Sequence, residues 1–264
     1  MNHQEMTAFA GRFAAPKFAN SFLRSLTSEW RKFNMRSVIT TSVIAIVFYA
    51  LVVWAFANPN LPFEAGFLTL ALPWQFMTIF FTVVGALAVT SEYSSNTMRT
   101  TVLSDPKRTR SFLAKITAVA LFAIVLNVVL IAVGTTIAYL RLPDFDGLNE
   151  GFQPYIMLVA LLTFVATLAS AIGYMFRSTA GSITFMLAFI FFSSLVRLIP
   201  RKFFQQTLVQ FTPIDLGNVA LGGTKALGRP DQFVSSSGIA IGVFAAYVIV
   251  ALLVGWALFK KRDV

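Results

Sequence analysis

The stretch Phe67–Lys115, FLTLALPWQFMTIFFTVVGALAVTSEYSSNTMRTTVLSDPKRTRSFLAK, changes abruptly in composition at its middle. Residues 67–90 carry no charge, whereas residues 91–115 hold two acids, five bases and a run of hydroxyls. The next stretch, Ile116–Leu140, is again uncharged. Because a helix needs about 20 apolar residues to cross the hydrocarbon core of a bilayer, this pattern predicts two membrane spans joined by a strongly polar connection.

The same criterion identifies six candidate spans along the 264 residues. They are Val38–Ala57, Phe67–Thr90, Ile116–Leu140, Gln153–Phe176, Ala180–Val196 and Gly238–Phe259. The chain is 57% hydrophobic and 12% charged, against roughly 25% charged residues in a soluble globular protein. Because lipid does not accept open strands, the fold class predicted is an all-α membrane protein with six transmembrane helices. The lack of cysteine excludes disulfides and thiolate-metal sites.

The positive charges predict the orientation of the six spans. Of the 21 Lys and Arg residues, 15 lie on the side that holds both termini. The other side holds Arg141, Arg197, Arg201, Lys202, Lys225 and Arg229. By the positive-inside rule both termini are cytoplasmic. The net charge of +10 is therefore explained by topology, and no nucleic-acid partner is expected.

Two segments outside the spans have helical patterns. Residues 1–37 form a predicted cytoplasmic segment ahead of the six-span domain, residues 38–264, and contain an amphipathic helix. The residues assigned to this interfacial helix are Phe22, Leu26, Glu29, Trp30 and Phe33, with Phe18 extending the stripe. We expect its aromatic face in lipid and its bases near headgroup phosphates, with packing on protein as the open alternative. The enlarged outer loop, residues 197–237, predicts short helices at or dipping into the outer face, around Phe203–Phe211.

Several kinds of chemistry are not expected from this sequence. There is no G-x-x-x-x-G-K-[ST] phosphate loop, and the single histidine is His3. Ion-driven transporters carry ionisable groups within their spans, and these six spans have none. The chain is therefore not predicted to be an enzyme. An ion-driven transporter is a third, disfavoured alternative, and any uphill transport is expected to take its energy from outside the membrane.

Polar and small residues within the spans favour helix packing. For Gln75 and Asn127 we expect hydrogen bonds to neighbouring helices, with a substrate contact as the alternative. The spacing Gly238-x-x-x-Gly242-x-x-x-Ala246 allows close helix approach. Packing within one chain is the favoured interpretation, and a subunit interface is the alternative. The pairs Ala166/Ser170 and Ala169/Gly173 in the fourth span have the same interpretation.

The polar connection resembles a signature of the type-2 ABC transporter permeases, the membrane subunits of bacterial exporters. That signature runs roughly E-Y-x-x-G-T-x-R, then a leucine, P-x-R and a lysine entering the third span. The matching residues are Glu92, Tyr93, Thr97, Arg99, Leu103, Pro106, Arg108 and Lys115. Glu29-Trp30-Arg31-Lys32 and the tail Phe259-Lys260-Lys261-Arg262-Asp263 are similar to further motifs of the family. The resemblance covers essentially the whole chain, and the family's glycine is replaced by Asn96.

The resemblance implies a transporter subunit in the inner membrane of a bacterium. In this family the corresponding segment docks on a separate ATPase, so residues 91–111 are expected to form the cytoplasmic coupling segment. The residues assigned to coupling are Glu92, Tyr93, Thr97, Arg99 and Arg108. The implied partners are a pair of ATPase subunits, which bind ATP and Mg, a second permease subunit and membrane lipid. The basic residues of this segment have an alternative role as lipid-headgroup contacts that fix the topology.

The uncharged spans predict a hydrophobic or amphipathic substrate such as a drug, antibiotic, peptide or lipid. The candidate substrate path consists of Phe76, Phe80, Phe185, Phe189 and Phe192, with a lipid-facing or core position as the alternative for each. The function predicted is export driven by the partner's ATP hydrolysis. The alternative is a membrane scaffold or assembly factor that recruits a cytoplasmic partner without transport.

Overall fold

The structure, a computed structural model, describes residues 21–58, 67–95, 97–98, 108–142, 145–146, 151–201, 203–222 and 233–261. None of these residues lies in a β-strand. The α-helices are α1 Phe22–Lys32, α2 Arg36–Phe56, α3 Phe67–Ala71, α4 Trp74–Ser94, α5 Arg108–Arg141, α6 Gln153–Phe176, α7 Thr179–Leu187, α8 Pro213–Gly222 and α9 Ser237–Lys261.

Within the part of the chain that the structure describes, six helical stretches are long and apolar enough to cross a membrane. They are Arg36–Phe56, Thr69–Ser94, Arg108–Arg141, Gln153–Phe176, Thr179–Leu198 and Ser237–Lys261. The prediction of an all-helical, multi-pass membrane protein is confirmed at that level. The third span differs from its predicted bounds, because α5 begins at Arg108, eight residues before Ile116. Part of the polar connection is therefore one continuous helix with the span that follows it.

The helices α4 and α6 form the centre of the bundle. Their most apolar stretches are 61% and 72% buried, against 17–39% for the other four spans. Small residues let the two helices approach closely, since a Cβ at Gly85 would lie 2.1 Å from the carbonyl oxygen of Ala166. A Cβ at Gly173 would lie 3.2 Å from Val89. The expected in-chain packing of the fourth span is confirmed at these positions.

The small-residue stripe of the last span, unlike that of the fourth, faces away from the other helices. Gly238, Gly242 and Ala246 are all exposed on α9, and a Cβ at either glycine would meet no atom within 4 Å. The interpretation that this stripe packs within one chain is therefore wrong. The contact between α9 and α6 is made elsewhere, at Gly255, where a Cβ would lie 3.0 Å from the carbonyl oxygen of Ala171.

Side-chain hydrogen bonds tie the spans together at the end of the bundle opposite to α1. The Tyr49 hydroxyl donates to the carbonyl oxygen of Leu70 at 3.0 Å. The Gln75 amide donates to Asn218 at 3.4 Å, which confirms the expected bond to a neighbouring helix. The same expectation is wrong for Asn127, whose amide donates to the carbonyl oxygen of Ala123 in its own helix at 2.9 Å.

The fifth span is not a continuous α-helix. Helix α7 ends at Leu187 and is followed by a π-helical turn, Ala188–Phe192, and a 3₁₀ turn, Ser193–Leu198. The Ser193 hydroxyl donates to the carbonyl oxygen of Ile190 at 3.1 Å, and serine side chains that bond to the backbone in this way compete with regular helix. Departures of this kind often mark hinges.

The segment after the fifth span folds back onto the bundle. A π-helical turn, Phe203–Leu208, and a 3₁₀ turn, Val209–Phe211, lead into α8. Pro213 is the first residue of α8, a position that proline favours because its missing N–H would have no partner there. Helix α8 packs against α6 and α9, and most of its residues are buried. Arg197 forms an ion pair with Asp215 in this region.

Hydrogen bonds to neighbouring segments hold this folded-back segment in place. The Tyr247 hydroxyl on α9 donates to the carbonyl oxygen of Phe211 at 2.8 Å. The side-chain oxygen of Gln210 accepts a bond from the amide of Val234 at 3.1 Å. Phe203 and Leu208 remain exposed, whereas Val209 is buried. The backbone that is not α-helical is thus covered by protein on one side.

Candidate functional site

Helix α1 packs along the beginning of α5 through part of its apolar stripe. The ring of Phe33 is buried and stacks on Phe122, with 4.6 Å between centroids and 11° between planes. Leu26 packs against the core, whereas Phe22 and Trp30 remain 39% exposed. At Leu26 and Phe33 the stripe therefore packs on protein, which was the alternative to a position in lipid. The expected start of the stripe at Phe18 lies outside the described residues.

Four charged side chains meet beneath α1 and form the ion cluster, which consists of Glu29, Lys32, Glu92 and Lys115. The ammonium group of Lys115 contacts a carboxylate oxygen of Glu29 and one of Glu92. The ammonium group of Lys32 lies 2.7 Å from Oε1 of Glu29 and 2.7 Å from Oε1 of Glu92. Each cation therefore bridges both carboxylates.

The ion cluster is shielded from solvent and balanced in charge. Glu29, Glu92 and Lys115 are 4%, 5% and 3% exposed, and only Lys32 is partly open. Burial disfavours the charged form of Lys32, but the carboxylates of Glu92 and Glu29 outweigh it and raise its pKa above the usual value. Removing one member of a buried ion pair leaves an uncompensated charge and costs about 3–5 kcal/mol. The cluster is thus sensitive to loss of any one partner.

The chain brings these four residues together from three helices. Glu29 and Lys32 are three residues apart on α1 and therefore share a face. Glu92 lies in the last turn of α4, and Lys115 lies two turns into α5. The polar connection joins α4 to α5, so the ion cluster links both of its ends to α1. The ion cluster therefore holds α1, the end of α4 and the first turns of α5 together.

Next to the ion cluster, Tyr93 contacts the connection between α6 and α7. The guanidinium group of Arg177 lies 5.2 Å from the centroid of the Tyr93 ring. The ring of Tyr174 meets Tyr93 edge-on at 6.5 Å. Arg177 has a left-handed backbone with φ 54° at the end of α6, and the Thr90 and Thr179 hydroxyls are 2.8 Å apart. These contacts attach the fourth and fifth spans to the end of α4.

Arg108 caps the last helix of the bundle. Its Nη1 donates to the carbonyl oxygens of Phe259 at 3.3 Å and of Lys260 at 3.0 Å. Trp256 donates through Nε1 to the Thr109 hydroxyl at 3.3 Å. Carbonyls at a helix C-terminus lack partners within the helix, and a cation there is favourable. The end of the polar connection is thereby fastened to the C-terminal end of α9.

The residues assigned to coupling differ in how far they are buried. Glu92 is buried in the ion cluster, and Tyr93 and Arg108 are half-buried against neighbouring helices. Thr97 is exposed, and its hydroxyl lies 2.9 Å from that of Ser95. Arg99 lies outside the described residues, as does Asn96. Of the described coupling residues, Thr97 is thus the one most open to a partner protein.

The ion cluster was not predicted as a unit. In the sequence, Glu29, Lys32 and Lys115 stand out only as parts of separate motifs. The sequence did contain a signal for the ion cluster, because acidic and basic residues on three predicted helices lie at the same predicted membrane surface. Charges at that depth need partners, so their pairing could have been proposed from topology alone.

The candidate substrate-path residues form four aromatic contacts in the described part of the chain. Phe76 and Phe80 approach Phe48 of α2, with centroids 5.8 Å and 5.6 Å apart. In the fifth span, Phe185 approaches Phe176 at 5.2 Å and Phe189 approaches Tyr247 at 5.9 Å, while Phe192 is 67% exposed. The structure does not bring the two groups of phenylalanines together within one chain.

Replacing Arg108 by glutamine is expected to loosen the end of α9. Two charge-assisted hydrogen bonds to carbonyl oxygens at the end of α9 are lost, so the free energy of unfolding should fall by about 1–2 kcal/mol. Hydrogen exchange at residues 257–261 should become faster in the variant. Arg108→Lys, which keeps the charge, should retain part of the protection, whereas unchanged exchange in Arg108→Gln would contradict the capping role.

Comparison with known proteins gives one family. The model of the DUF2705 family, described as a protein of unknown function, matches residues 43–264. The match includes Glu92 and Lys115 and begins after α1. Among curated proteins, no match is found. No group of three His, Cys, Asp or Glu residues that could hold a metal ion occurs among the residues that the structure describes. Because the family model covers most of the chain, this protein belongs to the DUF2705 family.

Proposed function

We propose that the chain is the membrane-spanning subunit of an ATP-driven exporter of the type-2 ABC class. In this proposal both termini lie in the cytoplasm of a bacterium, and the chain pairs with a second permease subunit, identical or paralogous. A separate pair of ATPase subunits binds ATP and Mg and docks on the segment around residues 91–111. The exported substrate is hydrophobic or amphipathic.

The observation that carries the proposal is the ion cluster. An exporter needs a rigid connection between the site where the ATPase docks and the helices that move. The cluster supports this role because Glu92 lies at the start of the polar connection, Lys115 lies at its end, and both form ion pairs with α1. The capping of α9 by Arg108 extends the same body to the last span. Glu92 and Arg108 act here as positioning residues, and Thr97 and Arg99 contact the ATPase.

The fifth span and the folded-back segment support a moving element on the outer side. The α-helix of the fifth span stops at Leu187 within the predicted membrane. Helix α8 then packs between spans without being long enough to cross a bilayer, since its 10 residues extend about 15 Å. In the proposal α8 dips into the outer face, and the substrate passes along the exposed phenylalanines of the second and fifth spans towards the partner subunit.

Site-specific cross-linking tests the docking step. A photoreactive amino acid at Thr97 in the full chain, expressed in its own cells, should capture a protein that contains a phosphate loop. The same amino acid at Phe152, which is exposed beside the opposite end of α6, is the control and should capture no such protein. Mass spectrometry of the adducts identifies the captured chain. Absence of any phosphate-loop protein at Thr97 would contradict the exporter proposal.

Replacement of Arg99 by alanine tests whether docking is used for coupling. In the purified complex with the captured ATPase, we expect ATP hydrolysis to fall by about fivefold or more, the lower range of a coupling free energy. Lys261→Ala, which removes an exposed charge at the end of α9, is the matched control and should hydrolyse ATP normally. An intact complex with unchanged hydrolysis in Arg99→Ala would instead favour the scaffold or assembly-factor function.

A further inference from the structure

Helix α1 has a second surface on the side that does not pack on α5. A groove of about 570 Å³, which we call the α1 groove, is lined by Leu23, Arg24, Thr27, Ser28, Arg31 and Lys32. The spacing of three, four and seven residues from Arg24 places Thr27, Ser28 and Arg31 on one helical face. The groove is open, and its guanidinium-bearing residues are exposed.

The chemistry of the α1 groove fits a phosphate group. Two guanidinium groups can donate paired hydrogen bonds to phosphate oxygens. The Thr27 hydroxyl donates its one proton to the carbonyl oxygen of Leu23 at 2.8 Å. The hydroxyl of Ser28, the next residue, can donate to a phosphate oxygen. The lining, as far as the structure describes it, includes no acidic side chain. The two nearby carboxylates, Glu29 and Glu92, are buried in the ion cluster and neutralised there.

An apolar side chain at the α1 groove distinguishes a lipid from a free phosphate ion. Leu23 lines the groove and is 71% exposed. A free ion has no group that would cover this side chain. A phospholipid carries a phosphate and an acyl chain on one molecule, as amphipathic interfacial helices require.

The position of α1 points to the same ligand. Helix α1 is joined to the first span through Phe33–Met35, and it packs beside the entry of the third span. Because the first membrane-spanning helix begins at Arg36, α1 lies directly outside that span, where the headgroups of a bilayer would lie. Anionic lipids attract basic segments at this surface.

We propose that the α1 groove binds the headgroup of an anionic phospholipid, with Arg24 and Arg31 on the phosphate and Leu23 against the acyl chain. The bound lipid holds the exposed side of α1, while the ion cluster holds its buried side. This inference does not rest on the proposed exporter function, because it concerns the attachment of α1 alone. Lys32 belongs to both surfaces and is therefore left unchanged in the test.

The test compares lipid binding by the full chain and by Arg24→Gln/Arg31→Gln. The protein in detergent is titrated with phosphatidylglycerol, and retained lipid is counted by native mass spectrometry. We expect the double variant to bind phosphatidylglycerol about tenfold more weakly, since two basic contacts are lost. The matched control is Arg36→Gln/Lys261→Gln, which removes two exposed charges at the same end of the bundle and should bind as the unchanged protein does. Unfolding without added lipid checks that all variants fold.

Three further outcomes separate the sources of the bound group. Phosphatidylcholine should not replace phosphatidylglycerol, and inorganic phosphate should not displace it. Leu23→Ser should weaken the binding of phosphatidylglycerol. Equal binding by the double variant, an equal loss in the control pair, or displacement by inorganic phosphate would overturn the proposal. Unchanged lipid binding together with cross-linking of an acidic protein at residue 31 would assign the groove to a protein partner and would also overturn it.

Discussion

Replacement of Lys115 by methionine is expected to lower the free energy of unfolding by about 3–5 kcal/mol. Lys115 is 3% exposed and contacts a carboxylate of both Glu29 and Glu92. Methionine keeps the length and the apolar stem but leaves two buried carboxylates with Lys32 as their single cation. The measurement is the unfolding of the purified protein in detergent. Hydrogen exchange along α1 should also increase, because α1 loses its main polar attachment to α5.

Restoring the charge balance separates the ion cluster from general packing. In Lys115→Met/Glu29→Gln one acid and one base remain, so a large part of the lost stability should return. Lys261→Met, an exposed lysine at the end of α9, should unfold as the unchanged protein does. If Lys115→Met unfolds at the unchanged position, or if the double variant is no more stable than the single one, the ion cluster does not hold α1.

The spans could be predicted because lipid imposes a simple rule on sequence. An uncharged apolar stretch of about 20 residues has few alternatives to a membrane helix, and the six predicted stretches match the six spanning helices. Hydropathy alone does not find the polar end of α5, because Arg108, Arg110 and Lys115 interrupt the apolar run without interrupting the helix. The sequence signals this helix in another way, since Asp105 and Pro106 suit an N-cap and a first helical position just ahead of it. Hydropathy locates the bilayer on a helix and does not locate the end of the helix.

The candidate site was predicted only in part, because its geometry depends on contacts between distant segments. The motif pointed to Glu92, but the sequence could not show that Glu92 lies within 2.7 Å of Lys32, 60 residues away. The same holds for Arg108, whose partners are carbonyl oxygens of α9 and therefore carry no sequence signal. Helix α8 was not assigned for a related reason, since a short helix that is covered by other helices has no amphipathic stripe of its own to detect.

The prediction of helix contacts from small residues is limited in the same way, because it too depends on the tertiary structure. The spacing of Gly238 and Gly242 is that of a helix-packing motif, yet both glycines face away from the chain. Gly85 belongs to no such predicted motif and lies at the closest approach of α4 to α6. A spacing rule identifies residues that permit close packing, whereas the tertiary structure decides which of them are used for it.

This difference gives a matched pair of substitutions with opposite expected results. In Gly85→Ala the new Cβ would stand 2.1 Å from the carbonyl oxygen of Ala166, so α4 and α6 must separate, and we expect a loss of about 3 kcal/mol or more. In Gly242→Ala the Cβ meets no atom within 4 Å, and alanine favours helix over glycine by up to about 1 kcal/mol. Unfolding of both variants in detergent measures the difference. If both variants lose the same stability, α9 packs through Gly242, and α4 and α6 are further apart than described. If only Gly85→Ala loses stability, α4 and α6, the two central helices, pack too closely at Gly85 to accept an added methyl group.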